Sequence, residues 1–400
     1  MKAGWPVKRL GDLSDLITKG TTPTSVGYAF VPDGINFVKI ESITENCQFL
    51  RNKMAHITHE CHDVLKRSQL KPGDILFSIA GALGRTALVT KDIVPANINQ
   101  ALAIIRLKPS NDVLPAFVLQ ALATGFVLEQ IEKSKGGVAQ QNLSLAQVQE
   151  FQIPLPPLPE QQRIVTILDE AFDGIATAKA NAEKNLQNAR ALFESHLQSV
   201  FTQRGEGWVE MKLGEVYDVR DGTHDSPKYH DTGFPLITSK NLKREGLSFD
   251  DIKLINEQDY KKINERSAVH KGDVLLAMIG TIGAPTLVEM EPNFAIKNVA
   301  LLKIPNGQSG AFLKHYLGSE WVISKMMNEA KGTTQKFVGL GYLRNFPINV
   351  PPLAAQLKVV KGLDELSTET QRLESIYQQK LAVLDALKKS LLDQAFTGQL

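Results

Sequence analysis

Residues 151–169 read FQIPLPPLPEQQRIVTILD, and residues 346–364 read FPINVPPLAAQLKVVKGLD. The second stretch repeats the first at a spacing of 195 positions, and the pairs at 201–202 and 396–397 both read Phe-Thr at that same spacing. Because the register never slips between these points, the sequence predicts two helical segments of equal length, one in each half of the chain.

Each repeated stretch continues as a long segment without proline. Residues 160–203 contain only Gly174 as a helix-weakening residue, and residues 354–397 contain only Gly362. Pro159 suits the first turn of a helix, and Gly398 suits a C-terminal cap. At 1.5 Å per residue, helices of roughly 40 residues would be rods of about 60 Å.

Apolar residues recur every seven positions along both predicted helices. Large residues dominate the second helix, and small ones are frequent in the first. This contrast favours a closely packed antiparallel pair, in which small residues let large ones seat deeply; the alternative is two surface helices, each packed on its own domain. The predicted seam residues are Leu168, Ile175, Ala182, Ala189, Leu192, Leu363, Leu366, Leu373, Tyr377, Leu384, Leu387 and Leu391.

The repeat also extends over the segments that precede the helices. Trp5-x4-Leu10-Gly-Asp opens the first half, and Trp208-x4-Leu213-Gly-Glu opens the second. A Gly-Asp turn followed by a buried apolar strand occurs within residues 71–81 and again within 271–280. The predicted fold class is α+β, with two pseudo-repeated mixed α/β domains and two long helices. The expected boundaries are domains at 1–158 and 206–353, and helices at 159–205 and 354–400.

Composition limits the classes of protein that fit. The chain has 400 residues, of which 43% are hydrophobic, so more than one domain core is expected. The 45 basic and 43 acidic residues nearly cancel, so a site for a polyanion must be local. Two cysteines give no disulfide framework, and neither a signal peptide nor a membrane span is recognisable, which together indicate a cytoplasmic protein.

Catalytic motifs are not found in the sequence. It has no phosphate-binding P-loop, no complete dinucleotide-binding glycine pattern and no Asn/Asp-Pro-Pro-aromatic segment of an amino-methyltransferase. His56, His59, Cys61 and His62 lie close together with Cys47 nearby, but their spacing matches no common zinc finger and does not recur in the second half. We therefore expect no metal site, and we interpret the proline run 154–159 as a stiff hinge rather than a ligand for an SH3 domain.

Polar turns flanked by glycine are the candidate nucleic-acid contacts. Lysine and arginine can neutralise phosphates, glycine allows close approach of the backbone, and Asn or Gln can pair with an adenine edge. Three of the four turn sites recur at corresponding places in both halves with different residues, as expected for two readers of different short sequences. The first half contributes Lys19, Thr21, Thr22, Arg85, Asn99, Gln100, Lys135, Gln140, Gln141 and Asn142. The second half contributes Arg220, Thr223, His224, Lys240, Asn241, Lys297, Asn298, Lys331, Thr333, Thr334, Gln335 and Lys336.

Essentially the whole chain resembles the specificity subunits of type I restriction-modification systems. The resemblance rests on the two Trp-x4-Leu-Gly-acid openings, on PLPPLPEQQRIV at 154–165 and on LLDQAFTGQL at 391–400. The second copy departs from the pattern at Ala354-Ala355, where Pro-Glu is usual.

The resemblance implies a non-catalytic subunit with two target-recognition domains, each reading one half of an asymmetric, bipartite site in double-stranded DNA. It implies that the helices form an antiparallel coiled coil that separates these domains and docks two methyltransferase subunits, which methylate adenine N6. Two restriction (motor) subunits complete the complex. S-adenosylmethionine, ATP and Mg²⁺ are expected on the partner subunits, with no cofactor in this chain. Two alternatives from other classes stay open at this point: a self-contained DNA methyltransferase or nuclease, and a structural coiled-coil adaptor that does not touch DNA.

Overall fold

A computed structural model describes residues 4–110, 112–134, 142–203, 205–243, 246–279, 282–332 and 336–400. The chain divides into two compact units. The first comprises Met1–Asn181 and Lys380–Leu400, and the second comprises Ala182–Gln379. Two 45-residue helices, α6 (Leu158–Thr202) and α12 (Leu353–Thr397), each contribute one segment to each unit.

The first unit is built on two small sheets and a two-stranded ribbon. Its strands are β1 (Val7–Arg9), β2 (Ser14–Lys19), β3 (Ile35–Val38), β4 (Ala55–Ile57), β5 (Ile75–Ser78), β6 (Thr86–Leu88), β7 (Ala96–Ile98), β8 (Leu102–Leu107) and β9 (Gln152–Pro154). An antiparallel sheet has the order β2-β8-β5-β6, a mixed sheet the order β4-β3-β7 with β3 and β7 parallel, and β1 pairs with β9. Its shorter helices are α1 (Leu10–Leu13), α2 (His59–Val64), α3 (Pro115–Leu122), α4 (Gly125–Ser134) and α5 (Leu145–Glu150).

The second unit repeats this plan. Its strands are β10 (Val209–Lys212), β11 (Asp218–Asp221), β12 (Phe234–Ile237), β13 (Leu242–Lys243), β14 (Gly246–Leu247), β15 (Lys253–Ile255), β16 (Val274–Ala277), β17 (Gly283–Leu287), β18 (Ala295–Ile296), β19 (Val299–Lys303) and β20 (Pro347–Val350). The matching sheets have the orders β11-β19-β16-β17 and β15-β12-β18, β10 pairs with β20, and β13 and β14 form a short hairpin. Its shorter helices are α7 (Leu213–Val216), α8 (Glu257–Ser267), α9 (Gly310–Gly318), α10 (Glu320–Glu329) and α11 (Leu340–Asn345).

The predicted Gly-Asp turns introduce the central strand of each four-stranded sheet. In the first unit the Asp74 carboxylate accepts the Lys71 backbone N–H at 2.7 Å and pairs with the Arg106 guanidinium at 2.7 Å. In the second unit Asp273 accepts the His270 backbone N–H at 2.7 Å. These buried carboxylates satisfy the turn, and the apolar run that follows can then enter the core.

Both faces of the central strands are covered, which explains their unbroken apolar sequences. In β5, Ile75 and Phe77 face one core cluster, whereas Leu76 faces another. In β16, Val274 and Leu276 likewise face the opposite side from Leu275. Alternate residues of a strand point to opposite faces, so a strand buried on both sides needs apolar residues at every position.

The long helices pack together in antiparallel fashion, as predicted. In the first unit the Arg163 guanidinium donates to the backbone oxygen of Leu400 at 2.9 Å, and Lys179 pairs with Asp385 at 2.6 Å. Residue numbers thus rise along one helix as they fall along the other. In the second unit Arg190 of α6 pairs with Glu374 of α12 at 3.1 Å. The predicted alternative of two helices, each packed only on its own domain, is wrong.

The seam residues of α6 lie largely where the heptad pattern predicts. Leu168, Ile175, Ala182 and Ala189 are buried. Leu192, however, is 54% exposed and does not belong to the row of buried seam residues. Beyond Ala189 the row continues instead through half-buried Phe193 and then through buried residues four positions apart, Leu197 and Phe201. A straight helix has 3.6 residues per turn, so a fixed seven-residue repeat drifts round its surface.

In α12 the same drift removes one predicted residue from the seam. Leu363 is buried, and Leu366, Leu373, Tyr377, Leu384 and Leu391 are half-buried. Leu387 is 43% exposed, whereas its neighbour Lys388 is half-buried and lays its ammonium over the Phe172 ring at 5.1 Å. Thr370, which interrupts the apolar row, is buried and donates its hydroxyl to the Leu366 backbone oxygen of its own helix at 2.9 Å.

The predicted cap at the end of α12 is confirmed. Gly398 has a φ of 76°, and the Gln399 N–H donates to the Gln394 backbone oxygen at 2.9 Å. This is the hydrogen bond of a glycine-terminated helix end. Within the part of the chain that the structure describes, no helix has both the length and the apolar content needed to span a bilayer.

Candidate nucleic-acid interface

In the first unit, predicted contact residues from separate segments meet at one edge of the four-stranded sheet. Strand β2 ends there at Lys19, and β8 begins there just after Asn99 and Gln100. Lys19 and Gln100 are exposed, and Asn99 is half-buried. Asn142 also reaches this edge, because it forms an isolated bridge with Ala80 just beyond the end of β5.

Backbone hydrogen bonds hold the turn after β2 against the turn before β8. The Thr21 N–H donates to the Ile98 backbone oxygen at 3.2 Å. A Cβ at Gly20 would lie 1.9 Å from that same oxygen, so only glycine permits this approach. Above the contact, the Thr22 hydroxyl donates to the side-chain oxygen of Gln100. Residues that are far apart in sequence thus form one small polar surface.

The second unit has the same pair of turns with different side chains. The Thr223 N–H donates to the Ile296 backbone oxygen at 3.0 Å, and a Cβ at Gly222 would lie 2.2 Å from that oxygen. The side-chain contact above this turn joins His224 to Asn298, with 2.8 Å between His224 Nδ1 and Asn298 Oδ1. It occupies the place that the contact between Thr22 and Gln100 has in the first unit.

Asp221 anchors His224 from below. Its carboxylate, only 7% exposed, lies 2.8 Å from His224 Nε2 and also pairs with the Arg266 guanidinium from α8. Asn298 has a φ of 54°, a left-handed conformation that Asn adopts more readily than most residues. Its hydrogen bond to His224 and that of Asp221 raise the pKa of the imidazole, because both favour the charged ring.

A cleft of about 1050 Å³ adjoins this turn in the second unit. Lys240, Lys297 and Asn298, three of the predicted contact residues, line it. Lys240 is exposed, and the Lys297 ammonium donates to the Ser226 hydroxyl at 2.5 Å. The remaining lining includes further lysines and two aspartates, namely Lys243, Lys253, Asp250 and Asp251. Lysines grouped in a cleft concentrate positive charge on a chain whose formal net charge is only +2.

Arg85, Arg220 and Asn241 are also engaged in internal hydrogen bonds. Arg85 donates its guanidinium to the Ile43 backbone oxygen at 2.9 Å. Arg220 pairs with Asp218 at 2.6 Å and also donates to the Arg266 backbone oxygen. Asn241 is 7% exposed; its side-chain oxygen accepts the Thr238 N–H and its amide donates to the Ser248 backbone oxygen. These side chains hold neighbouring segments of the surface together. The DNA-contact role predicted for them stays a prediction.

Asn142 in the first unit and Phe337 in the second lie at corresponding edges of their four-stranded sheets. In the second unit Phe337 bridges to Ile279 beyond the end of β16 and to Lys331. Lys331 and Lys336 are exposed, and Lys336 donates to the Met327 backbone oxygen at 2.9 Å. The other predicted residues of these segments, Lys135, Gln140, Gln141, Thr333, Thr334 and Gln335, lie outside the described residues.

The histidine-rich segment of the first unit has structural contacts of its own. Cys61 is fully buried, which raises the pKa of its thiol, and His62 Nδ1 lies 2.5 Å from Asn97 Oδ1. In the residues that the structure describes, no three His, Cys, Asp or Glu side chains converge as metal ligands would.

Two blocks of the sequence match one family model, described as the type I restriction modification DNA specificity domain. The matched residues are 2–187 and 205–382. The chain belongs to this type I specificity family. Its two halves are two copies of the DNA specificity domain, as the internal repeat predicts.

Relatives within the specificity family are distant but extend over most of the chain. The EcoKI specificity subunit of Escherichia coli K12 is 21% identical over 422 residues, covering 99% of this chain and 89% of the relative. The EcoBI specificity subunit of Escherichia coli is 23% identical over 360 residues, covering 82% of this chain and 74% of the relative. The two alignments thus extend over most of this chain.

Two solved structures share the fold. A chain from a study of complex assembly and conformational transition of the type I R-M system has a TM-score of 0.79 at 22% identity and covers 100% of this chain and 99% of its own. The HsdS subunit from Thermoanaerobacter tengcongensis has a TM-score of 0.63 at 22% identity, covering 100% and 98%. These likenesses support the fold of the specificity family for the entire chain.

Reasoning from sequence missed two residues, Asp221 and Arg266, that hold the His224 side chain in the candidate interface. Asp221 stands within the Arg-Asp-Gly-Thr-His turn, and an acidic residue beside glycine in a turn usually has a local role. Arg266 comes from α8, 45 residues away from Asp221 in sequence, and no local pattern connects the two. The internal repeat does point to the turn that contains Asp221. It aligns His224 with Thr22, which shows that the side chains of this turn differ between the two halves.

Proposed function

We propose that each half of this chain reads one half of a bipartite, asymmetric site in double-stranded DNA. The observation that carries the proposal is the repeated sheet edge, where one backbone frame presents different side chains in each unit. Thr22 and Gln100 stand in the first unit where His224 and Asn298 stand in the second. Side chains that differ in donors and acceptors on an equivalent frame would select different bases in the major groove.

We propose further that the chain itself is not a catalyst and that its helices dock two methyltransferase subunits, with two restriction subunits completing the complex. In this arrangement S-adenosylmethionine, ATP and Mg²⁺ bind to the partners, and the chain holds the site while a partner extrudes an adenine. The family membership and the names of the relatives as specificity subunits support this reading. A cytoplasmic location would follow from the same role.

An exchange of domains tests whether each half of the chain reads its own half-site. Residues 206–353 are replaced with the corresponding segment of another specificity subunit, and methylated adenines are mapped genome-wide after co-expression with the methyltransferase. One half-site should change while the other is retained. The reciprocal exchange of residues 1–158 is the matched control and should change the opposite half-site. Unchanged specificity in both chimeras would refute the proposal.

A titration tests the non-catalytic part. The purified full chain is titrated calorimetrically with S-adenosylmethionine, first alone and then in complex with methyltransferase subunits. We expect heat of binding only when the methyltransferase is present. Stoichiometric binding by the chain alone would instead favour a self-contained methyltransferase.

The helix pair provides a separate test of spacing. One additional turn, inserted at matching positions of α6 and α12, should alter the number of unread base pairs between the half-sites. Each turn adds about 5.4 Å to a helix, which is between one and two base-pair steps of duplex DNA. An unaltered gap would show that the helices do not set this distance.

A further inference from the structure

The hydrogen bond between His224 and Asn298 depends on how many protons the imidazole ring carries. His224 Nε2 lies 2.8 Å from a carboxylate oxygen of Asp221, and His224 Nδ1 lies 2.8 Å from the side-chain oxygen of Asn298. An ionised carboxylate and an amide oxygen only accept hydrogen bonds. With the amide oxygen turned toward the ring, as the structure places it, both ring nitrogens donate, which is the hydrogen-bonding pattern of an imidazolium.

We propose that the protonation of His224 decides which atom of the Asn298 amide faces the DNA, and so which bases the second half prefers. The inference rests on the proposed function, in which this turn reads bases. When the ring loses one proton, the remaining proton stays on Nε2, because Asp221 can only accept. Nδ1 then becomes an acceptor, and Asn298 must rotate its amide by half a turn so that Nδ2 donates to it.

The amide atom that is not bound to His224 is available to a ligand. Asn298 lines the open cleft of the second unit, and within the described part of the chain its Nδ2 has no protein partner. With imidazolium this outward atom is the donor Nδ2, which suits guanine O6 or thymine O4. With neutral imidazole it is the acceptor Oδ1, which suits the amino groups of adenine or cytosine.

The groups around His224 act on its pKa in opposite directions. Asp221 on β11 favours the imidazolium, while Arg266 on α8 opposes it. Lys297, from the turn that carries Asn298, donates its ammonium to the Ser226 hydroxyl, and Asp225 lies on the same turn as His224. The hydrogen bonds that the ring donates to Asn298 and Asp221 dominate, so the pKa of His224 is raised above its usual value of 6.5.

The first unit supplies an internal control, because its matching pair cannot titrate in this range. There the Thr22 hydroxyl meets the amide of Gln100, and neither group changes its proton count between about pH 6 and pH 9. A pH-dependent preference should therefore be confined to the half-site that the second unit reads.

Selection from a pooled library of duplexes tests the inference on the full chain assembled with methyltransferase subunits. Enrichment is measured at about pH 6 and about pH 8.5, which bracket histidine titration. At one position of the second half-site, the ratio of guanine and thymine to adenine and cytosine should fall about 3- to 10-fold at the higher pH, the effect of one hydrogen bond. The first half-site should keep its preferences.

Two variants complete the test. His224→Gln should remove the pH dependence, because glutamine does not titrate. The control variant is His270→Gln, which replaces an exposed histidine that precedes β16. It should retain the pH dependence. Equal preferences at both pH values in the unmodified chain, or an unchanged pH effect in His224→Gln, would overturn the inference while leaving the proposed function intact.

Failure of the proposed function has a different signature, namely that neither half-site is enriched at any pH. A ¹⁵N NMR titration of histidine-labelled protein adds a measurement that needs no variant. His224 should titrate above 6.5 with both nitrogens protonated at low pH, and a ring that stays neutral throughout the range would also overturn the inference.

Discussion

Replacing Gln161 with leucine should lower the melting temperature of the first unit markedly. The Gln161 side chain is fully buried at the start of α6. Its oxygen accepts the Leu114 N–H at 2.9 Å, and its amide donates to the backbone oxygens of Asp112 and Pro156, each at 2.8 Å. A single amide therefore fastens the long helix to the connection ahead of α3.

The expected size follows from these three hydrogen bonds. Each contributes about 1 kcal/mol net, and leucine would leave three backbone groups without their partner, so the free energy of unfolding should fall by about 3 kcal/mol. For a unit of roughly 150–250 residues, 1 kcal/mol corresponds to about 2–4 °C, which gives a decrease of about 6–12 °C. Gln356 repeats the arrangement in the second unit, where it accepts the Ser309 N–H at 2.9 Å and donates to the Pro351 oxygen at 2.8 Å.

Differential scanning calorimetry of the full chain measures the effect, because two units can melt as separate transitions. Gln162→Leu is the matched control: the same substitution, one position along the same helix, at an exposed site. It should shift the transition by no more than about 1–2 °C, as surface substitutions usually do. Equal melting temperatures for Gln161→Leu and Gln162→Leu would refute the view that the buried amide fastens the helix.

Four further outcomes are expected. Burial lowers the pKa of His315, whose Nε2 lies 2.8 Å from Asp364, so its folded form resists protonation and the second unit should lose stability as pH falls below the usual 6.5. His315→Gln, which copies Gln120 of the first unit, should flatten this decline in melting temperature between about pH 7.5 and 5.5. Ala189→Leu should destabilise the second unit by about 1–3 kcal/mol in denaturant titrations because Ala189 is 5% exposed, whereas Ala191→Leu at an exposed position should not. Gly222→Ala should abolish reading of the second half-site in methylation mapping and spare the first, since its Cβ would meet the Ile296 oxygen at 2.2 Å. Gly174→Ala should raise the unfolding free energy by about 1 kcal/mol, as nothing lies within 4 Å of the added carbon in this helix.

The internal repeat made the fold predictable, because both copies contain the short sequence patterns that determine turns, strands and helix ends. The Gly-Asp turns, the central strands and the glycine at the end of α12 each follow from a short stretch of sequence. Helix pairing was predictable for a related reason, since apolar spacing is a property of one segment. The failures at Leu192 and Leu387 arise where the real helix, with 3.6 residues per turn, departs from a strict heptad.

The candidate interface was only partly accessible from sequence. The combination of a basic and an amide residue drew attention to the Lys297-Asn298 turn, and a glycine beside a polar turn drew attention to His224; the structure brings these two turns together at one sheet edge. The same search for polar turns selected Arg85 and Asn241, whose side chains bond to backbone groups of neighbouring segments. Whether a polar side chain in a turn points outward or satisfies a buried carbonyl depends on residues distant in sequence, which a single chain does not reveal.

At the sheet edge, the backbone contacts between turns are the same in both units, whereas the side chains above them differ. Its turns are joined by backbone hydrogen bonds, from the Thr21 N–H to the Ile98 oxygen in one unit and from the Thr223 N–H to the Ile296 oxygen in the other. Such bonds do not depend on side-chain identity, and glycine at the crossing is the main steric requirement. The side chains above the crossing are then free to change without loss of the frame. Under the proposed function, substitution at a few exposed positions would give such an edge a new target, while the buried amides of Gln161 and Gln356 continue to hold each domain to its long helix.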